Sequence, residues 1–575
     1  MNFHEQYDKW LNSSVLKEEE LAEIMSMMGD EEKIALHFGS VLEFGTAGLR
    51  AQMGMGPACM NVYTVAQATQ GIAALILREK GESRGVAIAY DSRNNSALFS
   101  QVAAEVLAAN GIRVYIFDGI RPTPELSFAV RNLSAIAGIN ITASHNPKEY
   151  NGYKAYWEDG AQISPEQAAV VSAAIADIDV LTGARRIPYA EGVEKGLITV
   201  LGEDFDEKYL AAVEKTAINP DAVRRVADEL KIVYTPLHGA GYKMVPEMLR
   251  RMGLRHLYTV DAQMTLDGNF PTVKKPNPEY ADVFKLGIEI ADRVGSDLVI
   301  ATDPDSDRVG VVCRRPDKTF ATISGNQMGA LLLDYVIEAK REKGTLGPCD
   351  YAVKSIVSSD MAYAIAEKQG VKLYDVLTGF KFIGEVIKNY EESKREGNFL
   401  FGFEESYGYL FGSYARDKDA VGASMMIVEM TAFYRARHMT LLEALDALYE
   451  KYGFYGESMT DIYMEGLDGV EKRKKLMNNL RQNPPKAFAG VAVRKIGDYS
   501  ISEIRDVLSG EVTPTGLVPS NVLYYTLENG DKIIVRPSGT EPKVKIYILA
   551  HADGKEKLKE KIAAYGEDAK KQMAV

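Results

Sequence analysis

Apolar runs that alternate with helix-like segments are the feature that most constrains the fold of this 575-residue chain. Residues 85–90 form an apolar run typical of a buried strand, and residues 96–110 have a helical pattern that Gly111 stops. Residues 114–117 predict the next strand and residues 136–141 a further one. A strand, a helix and a strand in this order indicate a crossover connection, and therefore a parallel sheet.

The same alternation returns twice farther along the chain. In the second group, a helix is predicted from residue 242, and strands at residues 231–234, 257–260 and 298–301. In the third group, a helix is predicted from residue 326, and strands at residues 351–355 and 400–403. No sequence-level repeat accompanies the pattern, so structural repetition is inferred from the alternation alone.

The last part of the chain has a different pattern. Two apolar runs, residues 522–527 and 532–535, flank Glu-Asn-Gly-Asp, and Asn-Gly between apolar runs predicts a β-hairpin. A lysine-rich helix is predicted from residue 555, and a Pro-containing polar linker near residues 482–485 precedes the region. These signals predict a smaller C-terminal α+β domain.

Composition excludes several classes of partner. Lys and Arg number 67 against 80 Asp and Glu, and a net charge of −13 argues against nonspecific nucleic-acid binding. The three cysteines, Cys59, Cys313 and Cys349, are far apart and odd in number, so neither a disulfide framework nor a metal site is indicated. The start of the chain lacks a signal-peptide pattern, and no stretch has the apolar length of a membrane span. We therefore expect a cytoplasmic protein that binds neither nucleic acid nor membrane.

Residues 142–147, TASHNP, follow a predicted strand and are here called the serine loop. Ligands of doubly wound sheets bind beyond the carboxyl ends of strands. The small Ala143 is expected to leave Ser144 accessible, and His145 can polarise the serine hydroxyl. The Gly-x-Ser-x-Gly elbow is absent, which argues against an acyl-transfer hydrolase. Taken alone, the loop fits a reactive serine and a polar turn without chemistry equally well.

Residues 303–308, DPDSDR, follow another predicted strand and are here called the aspartate loop. The carboxylates of Asp303, Asp305 and Asp307 repel one another unless a cation lies among them. A hard cation with oxygen ligands removes that cost, and the coordination positions that three carboxylates leave open suit magnesium. An EF-hand is excluded, because its sixth position is Arg308 rather than Gly. A solvated acidic turn is the other explanation.

Residues 402–408, GFEESYG, form a third polar loop after an apolar strand, here called the glutamate loop. Glu404 and Ser406 lie two residues apart and can both hydrogen-bond the hydroxyl groups of a sugar. Taken alone, this segment fits a charged surface loop better.

Residues 536–543, RPSGTEPK, are here called the arginine loop. Arg536 carries a planar fork of donors that matches phosphate geometry. The turn at Ser538, Gly539 and Thr540 offers backbone N–H groups and two hydroxyls in a small concavity. This dense set of donors favours a phosphate site over a plain turn between two strands.

Together, the four loops resemble the α-D-phosphohexomutase superfamily, which contains phosphoglucomutases and phosphomannomutases. The match runs from Glu43 to about Tyr547, with the motifs in the family's order and at family-like separations. The spellings TASHNPKEYNGYK, DPDSDR, FGFEESYGY and RPSGTEPK, with the chain length, are most similar to the longer phosphoglucomutase/phosphopentomutase branch. Phosphoglucosamine mutases are less similar, because they usually have Gly at the position of Pro304.

The resemblance implies three similar α/β domains with mixed sheets and a smaller C-terminal α+β domain, arranged around a central cleft. Each domain would carry one loop, in the order serine, aspartate, glutamate and arginine. The predicted domains are residues 1–200, 201–318, 319–480 and 481–575. The first 40 or so residues are charged and helix-like, without chemistry that their sequence indicates.

The resemblance also implies roles for individual residues. The implied catalytic residues are Arg50, Ser144, His145, Lys154 and Arg308. The implied magnesium ligands are Ser144, as a phosphoserine, with Asp303, Asp305 and Asp307. The implied substrate-binding residues are Lys381, Glu404, Ser406, Arg536, Ser538, Gly539 and Thr540. Asp91 and Arg93 are candidates either for organising the site or for a purely structural role.

A mutase has to move phosphate between two oxygens of one sugar, and direct transfer across the ring is geometrically difficult. Phosphorylated Ser144 would donate to the free hydroxyl and take back the other phosphate. Lys154 is the candidate acid/base, on the expectation that neighbouring cations lower its pKa. We therefore expect a magnesium-dependent isomerase that interconverts glucose 1-phosphate and glucose 6-phosphate, with glucose 1,6-bisphosphate as intermediate and activator.

Other functions remain open at this point. Mannose and pentose phosphates are alternative substrates, and a bisphosphate synthase or phosphatase would use the same phosphoserine. A phosphatase releases inorganic phosphate from glucose 1-phosphate, whereas a mutase releases almost none. A noncatalytic sugar-phosphate binding protein would not need Ser144 together with three aspartates.

Overall fold

The computed structural model describes residues 2–45, 48–464, 469–538 and 543–573. The chain forms two compact units, each assembled from several stretches of sequence. The first unit contains Met1–Ile323, Gly384–Arg395 and Tyr407–Ala436. The second unit contains Ser324–Ile383, Glu396–Ser406 and Arg437–Val575. The predicted domain boundaries stay a prediction, because units built from interleaved stretches do not mark single cut points in the chain.

Three short helices open the first unit, as the helix-like pattern of the first 40 residues predicts. They are α1 Phe3–Leu11, α2 Glu18–Met25 and α3 Glu31–Phe38. Their apolar faces bury Trp10 against Phe38, with ring centroids 6.1 Å apart. Glu23 accepts a hydrogen bond of 2.8 Å from the backbone N–H of Met55, which fastens this cluster to the chain that follows.

The first sheet has six strands and confirms the predicted strand–helix–strand unit. Its strands are β1 Leu49–Gln52, β2 Val86–Tyr90, β3 Val114–Phe117, β4 Ala137–Ile141, β5 Tyr150–Trp157 and β6 Ile198–Leu201. The helices of this segment are α4 Val62–Arg78, α5 Ser96–Ala109, α6 Thr123–Asn132, α7 Pro165–Ala176 and α8 Tyr189–Glu194. The strand order is β1-β5-β4-β2-β3-β6, with β2 parallel to β3 and β4, and β5 antiparallel to β1 and β4.

The second sheet has five strands in the order β11-β10-β9-β7-β8. Its strands are β7 Lys231–Thr235, β8 His256–Thr259, β9 Leu298–Thr302, β10 Val309–Arg314 and β11 Phe320–Ile323. The helices here are α9 Glu203–Glu214, α10 Pro220–Arg225, α11 Gly241–Arg251, α12 Asp261–Met264, a 3-10 turn Ala281–Phe284 and α13 Lys285–Val294. Because β9 and β10 are antiparallel neighbours, the aspartate loop is the turn that joins them.

The third segment begins in the second unit with three parallel strands in the order β13-β12-β14. The strands of this segment are β12 Tyr351–Ser355, β13 Lys372–Val376, β14 Phe399–Glu404 and β15 Gly408–Leu410. Its helices are α14 Gly325–Glu342, α15 Met361–Gln369, α16 Phe380–Glu392, α17 Ala420–Arg435 and α18 Leu441–Tyr452. Strand β15 and helix α17 belong to the first unit, where α17 packs against α10 and α11.

The C-terminal segment is antiparallel throughout its paired strands. Its strands are β16 Phe454–Tyr463, β17 Ala487–Phe488, β18 Val491–Asp498, β19 Glu503–Asp506, β20 Val512–Pro514, β21 Leu523–Leu527, β22 Lys532–Pro537 and β23 Lys543–Ala552. Helices α19 Gly469–Gln482 and α20 Lys555–Gln572 accompany them. Strands β21 and β22 pair as the predicted hairpin, and Gly530 in its turn has a φ of +87°, which favours glycine.

The predicted fold class is confirmed: three α/β segments precede a smaller α+β segment with its own antiparallel sheet. The serine and aspartate loops follow β4 and β9, whereas the glutamate and arginine loops begin within the last residues of β14 and β22. None of the helices in the described parts of the chain is long and apolar enough to cross a membrane.

A buried charge cluster joins the first two segments within the first unit. Arg121, just ahead of α6, donates from Nε to Oδ1 of Asp206 on α9 at 2.6 Å. Lys243 on α11 donates to Oδ2 of Asp206 at 3.0 Å. Glu125 on α6 is fully buried beside this cluster. Burial and the negative charge of Asp206 raise the pKa of Glu125 well above its ordinary value, although Arg121 opposes the rise. The fold therefore favours the neutral form of Glu125 more than water does.

Replacing Glu125 with Gln should therefore raise the free energy of unfolding at pH 8. An acid whose pKa is raised on folding loses stability as pH rises above its unfolded-state pKa, whereas Gln does not titrate. The gain of Glu125→Gln over the wild type should thus grow from pH 5 to pH 8, by at most about 1.4 kcal/mol per pH unit. Denaturant unfolding at several pH values measures it.

The matched control is Glu82→Gln, which changes an exposed side chain in the same segment and should leave stability unchanged. A Glu125→Gln gain that is absent, or that shrinks as pH rises, would contradict a raised pKa of Glu125.

Candidate active site

The serine loop holds Ser144 in an unusual backbone conformation directly after β4. Ser144 has a φ of +52°, in the left-handed region that residues other than glycine rarely adopt. Its backbone N–H donates to Oγ1 of Thr142 at 2.8 Å, and Thr142 Oγ1 donates to Oδ2 of Asp91 at 2.6 Å. These two bonds hold the strained turn and thereby fix the direction of the Ser144 hydroxyl.

Arg93 holds the same loop in place through an ion pair and several hydrogen bonds. Its guanidinium is fully buried and pairs through Nε with Oδ2 of Asp91 at 3.2 Å. It donates to four backbone carbonyls of the loop and its continuation, those of Ser144, Asn146, Pro147 and Tyr150. Of the two roles that the sequence leaves open for Asp91 and Arg93, these contacts favour organising the site.

The aspartate loop meets the serine loop at a direct hydrogen bond. Ser144 Oγ donates to Oδ2 of Asp303 at 2.9 Å, although the two residues lie 159 positions apart. Oδ1 of Asp303 accepts from the backbone N–H groups of Asp307 and Arg308, at 3.1 and 3.0 Å. Each of the three aspartates offers a carboxylate oxygen within 4.8 Å of the others. A second left-handed residue, Ser306 with a φ of +53°, allows the turn that gathers them.

The three aspartates are buried, with exposed fractions of 2% or less. Burial, followed by the charges of Asp305 and Asp307, raises the pKa of Asp303 well above its ordinary value. Burial acts in the same direction on Asp305, but the ammonium of Lys154 outweighs it and lowers the pKa of that carboxyl. The loop therefore concentrates negative charge that the protein's own cations balance only in part.

These residues fit a hard divalent cation. Among the described residues, Oδ1 of Asp305 and Oδ1 of Asp307 are buried oxygens without a hydrogen-bond partner. Unpaired buried carboxylate oxygens are costly, and a cation with oxygen ligands satisfies them. The group can hold a metal ion, as the sequence predicts for Asp303, Asp305 and Asp307.

Lys154 on β5 reaches the same cluster. Its Nζ lies 2.7 Å from Oδ2 of Asp305 and 3.6 Å from Oδ2 of Asp307. The expected lowering of its pKa is wrong. Burial alone would lower the pKa, but the charges of Asp305 and Asp307 raise it above the ordinary value. Its nearest charged neighbours are carboxylates rather than cations, so Lys154 is protonated at neutral pH.

Lys418 is a second lysine at the cluster, which the sequence reasoning missed. Its Nζ lies 3.1 Å from Oδ2 of Asp307 and 2.8 Å from Oδ1 of Asp417. Tyr156 on β5 donates to Oδ2 of Asp417 at 2.8 Å and so holds this pair. A usable signal exists in the sequence, because residues 416–419 put four charges in a row directly before the apolar helix α17.

His145 lies beside the serine hydroxyl as expected. Its Nδ1 is 3.2 Å from Ser144 Oγ. Burial, with the charges of Arg308 and Arg50, lowers the pKa of His145 well below its ordinary value, so the imidazole is neutral. Arg50 on β1 donates to Oδ1 of Asn146 in the serine loop at 3.2 Å.

Arg308 closes the aspartate loop. Its Nη1 donates to Oε1 of Glu279 at 2.7 Å, a partner that the sequence reasoning did not single out.

The expected accessibility of Ser144 is also wrong. Only 3% of its surface is exposed, and its hydroxyl is bonded to Asp303 of the aspartate loop.

The predicted sugar residues lie in the second unit. Glu404 at the end of β14 is buried and accepts from the backbone N–H of Gly379 at 2.6 Å. This bond links the glutamate loop to the turn that leads into α16, where Lys381 occupies the second position. Glu405 accepts from Ser355 Oγ at 3.1 Å. Ser406 follows two residues after Glu404 and is partly buried.

The described part of the arginine loop lies at the end of β22 in the same unit. Arg536 is partly buried, and the backbone N–H of Ser538 donates to the carbonyl of Lys543 at 2.8 Å. Burial and the charge of Glu405 raise the pKa of Tyr547, while Arg536 opposes the rise by its charge and a hydrogen bond. Tyr547 therefore lies near both loops. The predicted residues Gly539 and Thr540 lie outside the described residues.

The structure thus gathers the predicted catalytic and metal residues in the first unit. The gathered residues are Arg50, Ser144, His145, Lys154, Asp303, Asp305, Asp307 and Arg308. The described substrate candidates belong to the second unit, and they are Lys381, Glu404, Ser406, Arg536 and Ser538.

Comparison with protein families identifies the chain. Models of phosphoglucomutase/phosphomannomutase alpha/beta/alpha domains I, II and III match residues 41–181, 207–317 and 324–452. The model of the C-terminal domain of the same family matches residues 476–564. The chain belongs to the phosphoglucomutase/phosphomannomutase family. The resemblance that the four loops indicate is confirmed.

Curated members of this family are similar over most of the chain. A phosphoglucomutase of Staphylococcus saprophyticus is 36% identical over 534 residues, which are 93% of this chain and 95% of that protein. A phosphoglucomutase of Staphylococcus aureus is 36% identical over 517 residues, 89% of this chain and 90% of that protein.

Solved structures of the phosphoglucomutase/phosphomannomutase family share the fold. Parafusin, a phosphoglucomutase of Paramecium in an open form, has a TM-score of 0.67 at 17% identity, covering 92% of this chain and 94% of its own. A family protein of Burkholderia thailandensis has a TM-score of 0.64 at 18% identity, covering 92% and 97%.

In this member of the family, Arg93→Lys should lower activity while the protein stays folded. A lysine keeps the charge but lacks the fork that reaches four carbonyls, and each charge-assisted hydrogen bond contributes about 1.5–3 kcal/mol. We expect kcat to fall at least about tenfold, because the Ser144 hydroxyl loses its fixed direction. Steady-state kinetics with thermal unfolding measures both effects.

Arg84→Lys is the matched control. Arg84 also donates to two backbone carbonyls, those of Ser134 and Ala135, but it lies away from the serine loop. A normal kcat in Arg93→Lys, or an equal loss in Arg84→Lys, would contradict a positioning role for Arg93.

Proposed function

We propose that this protein is a phosphoglucomutase that interconverts glucose 1-phosphate and glucose 6-phosphate through a phosphorylated Ser144. The observation that carries the proposal is the hydrogen bond of 2.9 Å from Ser144 Oγ to Asp303 Oδ2. It places a hydroxyl nucleophile against a buried aspartate cluster that can hold a metal ion. A phosphorylated serine beside a divalent cation is the arrangement that phosphoryl transfer requires.

The relatives support glucose as the sugar. The phosphoglucomutases of two Staphylococcus species are 36% identical to this chain along about nine-tenths of its length. The family models of domain III and of the C-terminal domain span the glutamate and the arginine loops, respectively. We propose that the side chains of these loops bind the sugar and its second phosphate. Glu404 and Ser406 supply oxygen acceptors for sugar hydroxyls, and Lys381 supplies a cation.

The proposed reaction has two half-reactions of the same kind. In the first, the P–Oγ bond of phosphorylated Ser144 breaks and a P–O bond forms to the free sugar hydroxyl, which gives glucose 1,6-bisphosphate. The proton of that hydroxyl passes on balance to Ser144 Oγ. In the second, Ser144 Oγ attacks the other phosphate of the bisphosphate, and the freed sugar oxygen takes the proton.

Two groups of the chain are placed to handle this proton. Neutral His145, with Nδ1 at 3.2 Å from Ser144 Oγ, can accept or donate at the serine. We assign the sugar oxygen to Lys154, whose raised pKa favours the protonated form. As an ammonium it can donate the proton that the freed sugar oxygen takes in the second half-reaction, and it has to lose a proton before it can accept one from the sugar hydroxyl in the first. Its raised pKa follows from Asp305 and Asp307, so neutralising those carboxylates makes Lys154 a better proton donor.

Positive charge around the serine would stabilise the transferring group. Mg²⁺ held by Asp303, Asp305, Asp307 and the phosphorylated Ser144 would neutralise charge on the phosphoryl oxygens. Arg308 presents a guanidinium fork at the end of the aspartate loop, where Glu279 holds it in place. Arg50 lies at the serine loop through its bond to Asn146 and adds a further cation.

A coupled assay with Ser144→Ala tests the proposal. The wild type should convert glucose 1-phosphate to glucose 6-phosphate with almost no release of inorganic phosphate, and a peptide containing Ser144 should carry a phosphoryl mass shift. Ser144→Ala should lose nearly all activity, because the covalent acceptor is gone. Ser134→Ala is the control, since Ser134 has the same φ of +52° but lies between α6 and β4.

The same panel distinguishes the other functions. Faster turnover of mannose 1-phosphate or ribose 1-phosphate would replace glucose as the substrate. Stoichiometric release of inorganic phosphate would show a phosphatase. Near-normal turnover by Ser144→Ala would overturn the phosphoserine mechanism.

Arg536→Ala should mainly raise the KM for glucose 1-phosphate. We propose that Arg536, with Ser538, Gly539 and Thr540, holds the phosphate that is not transferred. Loss of one charge-assisted contact costs about 1.5–3 kcal/mol, or roughly tenfold to a hundredfold in kcat/KM. The penalty should vanish when glucose, which has no phosphate, accepts the phosphoryl group from the phosphoenzyme.

Arg494→Ala removes another arginine from the same sheet, one paired with Asp506 at 2.9 Å, and should leave KM unchanged. An equal penalty for glucose and glucose 1-phosphate in Arg536→Ala would mean that Arg536 has a structural role only.

A further inference from the structure

The two oxygens of the Asp305 carboxylate have different surroundings. Oδ2 accepts two hydrogen bonds, one from Nζ of Lys154 at 2.7 Å and one from Oγ1 of Thr123 at 2.8 Å. Among the described residues, Oδ1 has no hydrogen-bond partner although it is buried. One oxygen of Asp305 is thus occupied by the protein, and the other is left for a ligand.

Asn140 fixes the direction of the Thr123 hydroxyl. Asn140 on β4 donates from Nδ2 to Thr123 Oγ1 at 2.6 Å, so that oxygen acts as an acceptor there. The single hydroxyl proton of Thr123 is then directed at Asp305 Oδ2. The backbone N–H of Thr123, at the start of α6, also donates to the carbonyl of Asp305 at 2.8 Å. Side chain and main chain of one residue therefore hold Asp305 together.

The protein also engages the other two aspartates. Oδ2 of Asp303 accepts a hydrogen bond from Ser144 Oγ at 2.9 Å. Oδ1 of Asp303 is occupied by two backbone N–H groups of its own loop. Oδ2 of Asp307 lies 3.1 Å from Nζ of Lys418. Its Oδ1 is a buried oxygen without a hydrogen-bond partner among the described residues, and Nε of Arg308 lies 3.9 Å from it. Asp305 differs from Asp303 in one respect, because the hydroxyl that donates to it belongs to Thr123, which is not one of the proposed metal ligands.

Ca²⁺ and Mg²⁺ respond differently to such a set of oxygens. Ca²⁺ takes six to eight oxygen ligands and often binds both oxygens of a carboxylate, whereas Mg²⁺ requires a compact octahedron. A carboxylate with one oxygen already engaged can offer only the other. Three carboxylates of this kind leave too few protein oxygens for the larger ion.

We propose that Thr123 is a positioning residue that makes the aspartate site selective for Mg²⁺ over Ca²⁺. Its hydroxyl occupies Oδ2 of Asp305, turns Oδ1 toward the cluster and prevents the carboxylate from offering both oxygens. This inference rests on the metal site of the proposed function, and it assigns the selectivity of that site to a residue outside the aspartate loop.

Calorimetric titration of the full-length protein with MgCl₂ and with CaCl₂ tests the inference. Thr123→Val keeps the shape and burial of the side chain but removes the hydroxyl. Loss of a partner that orients a metal ligand typically weakens binding about tenfold to a hundredfold. Thr123→Val should weaken Mg²⁺ binding by that amount and Ca²⁺ binding much less, so the ratio of the two dissociation constants falls.

Two further variants complete the comparison. Thr123→Ser retains the hydroxyl and should restore both the affinity and the ratio of the wild type. Thr69→Val is the matched control, because Thr69 on α4 is also fully buried and donates to a backbone carbonyl, that of Val65, at 2.8 Å. It should leave both metal affinities unchanged.

Asn140→Leu gives a second route should Thr123→Val fold poorly. It leaves the Thr123 hydroxyl in place but removes the hydrogen bond that fixes the direction of its proton. The ratio of the Mg²⁺ and Ca²⁺ dissociation constants should then shift the same way by a smaller factor. An unchanged ratio in a folded Thr123→Val, or an equal change in Thr69→Val, would overturn the inference. A wild type that binds neither ion would instead overturn the proposed metal site.

Discussion

Three carboxylates buried side by side impose the charge balance on which the rest of the site depends. An unpaired buried carboxylate costs several kcal/mol, so the fold surrounds Asp303, Asp305 and Asp307 with donors. Two lysines from different segments of the chain pair with this cluster, Lys154 with Asp305 and Lys418 with Asp307. Burial, followed by the charges of Asp305 and Asp307, nevertheless raises the pKa of Asp303 well above its ordinary value. The three carboxylate oxygens that lie within 4.8 Å of one another can hold a divalent cation, which would offset their negative charge.

This balance also ties distant parts of the first unit together. Lys154 comes from the first sheet, the aspartates come from the turn between β9 and β10, and Lys418 precedes α17. The chain leaves the first unit after residue 323 and returns to it twice, with Gly384–Arg395 and with Tyr407–Ala436, the segment that carries Lys418. Folding of the unit and assembly of the site are therefore coupled, and any ion bound there stabilises both.

The sequence predicts the positions of the functional loops because each follows an apolar strand. Continuous apolar runs locate β4 and β9, and polar residues beyond their carboxyl ends locate Ser144 and the aspartates. The hairpin of β21 and β22 follows from Asn529-Gly530. The direction of the pKa shift of Lys154 could not be predicted, because it depends on which charged groups lie nearest to the ammonium. The accessibility of Ser144 could not be predicted either, because its hydroxyl is bonded to Asp303, which lies 159 positions away in the sequence.

By itself, the sequence determined the fold class, the family and the loops that carry the chemistry, since these are encoded in local periodicity and in short runs of neighbouring residues. Only the tertiary structure decided how the charges pair. Thr123 meets Asp305 across 182 positions, and Lys154 meets the same carboxylate across 151. Such contacts leave no pattern in the local sequence, because packing between segments, rather than the spacing within one, sets the distance between their atoms.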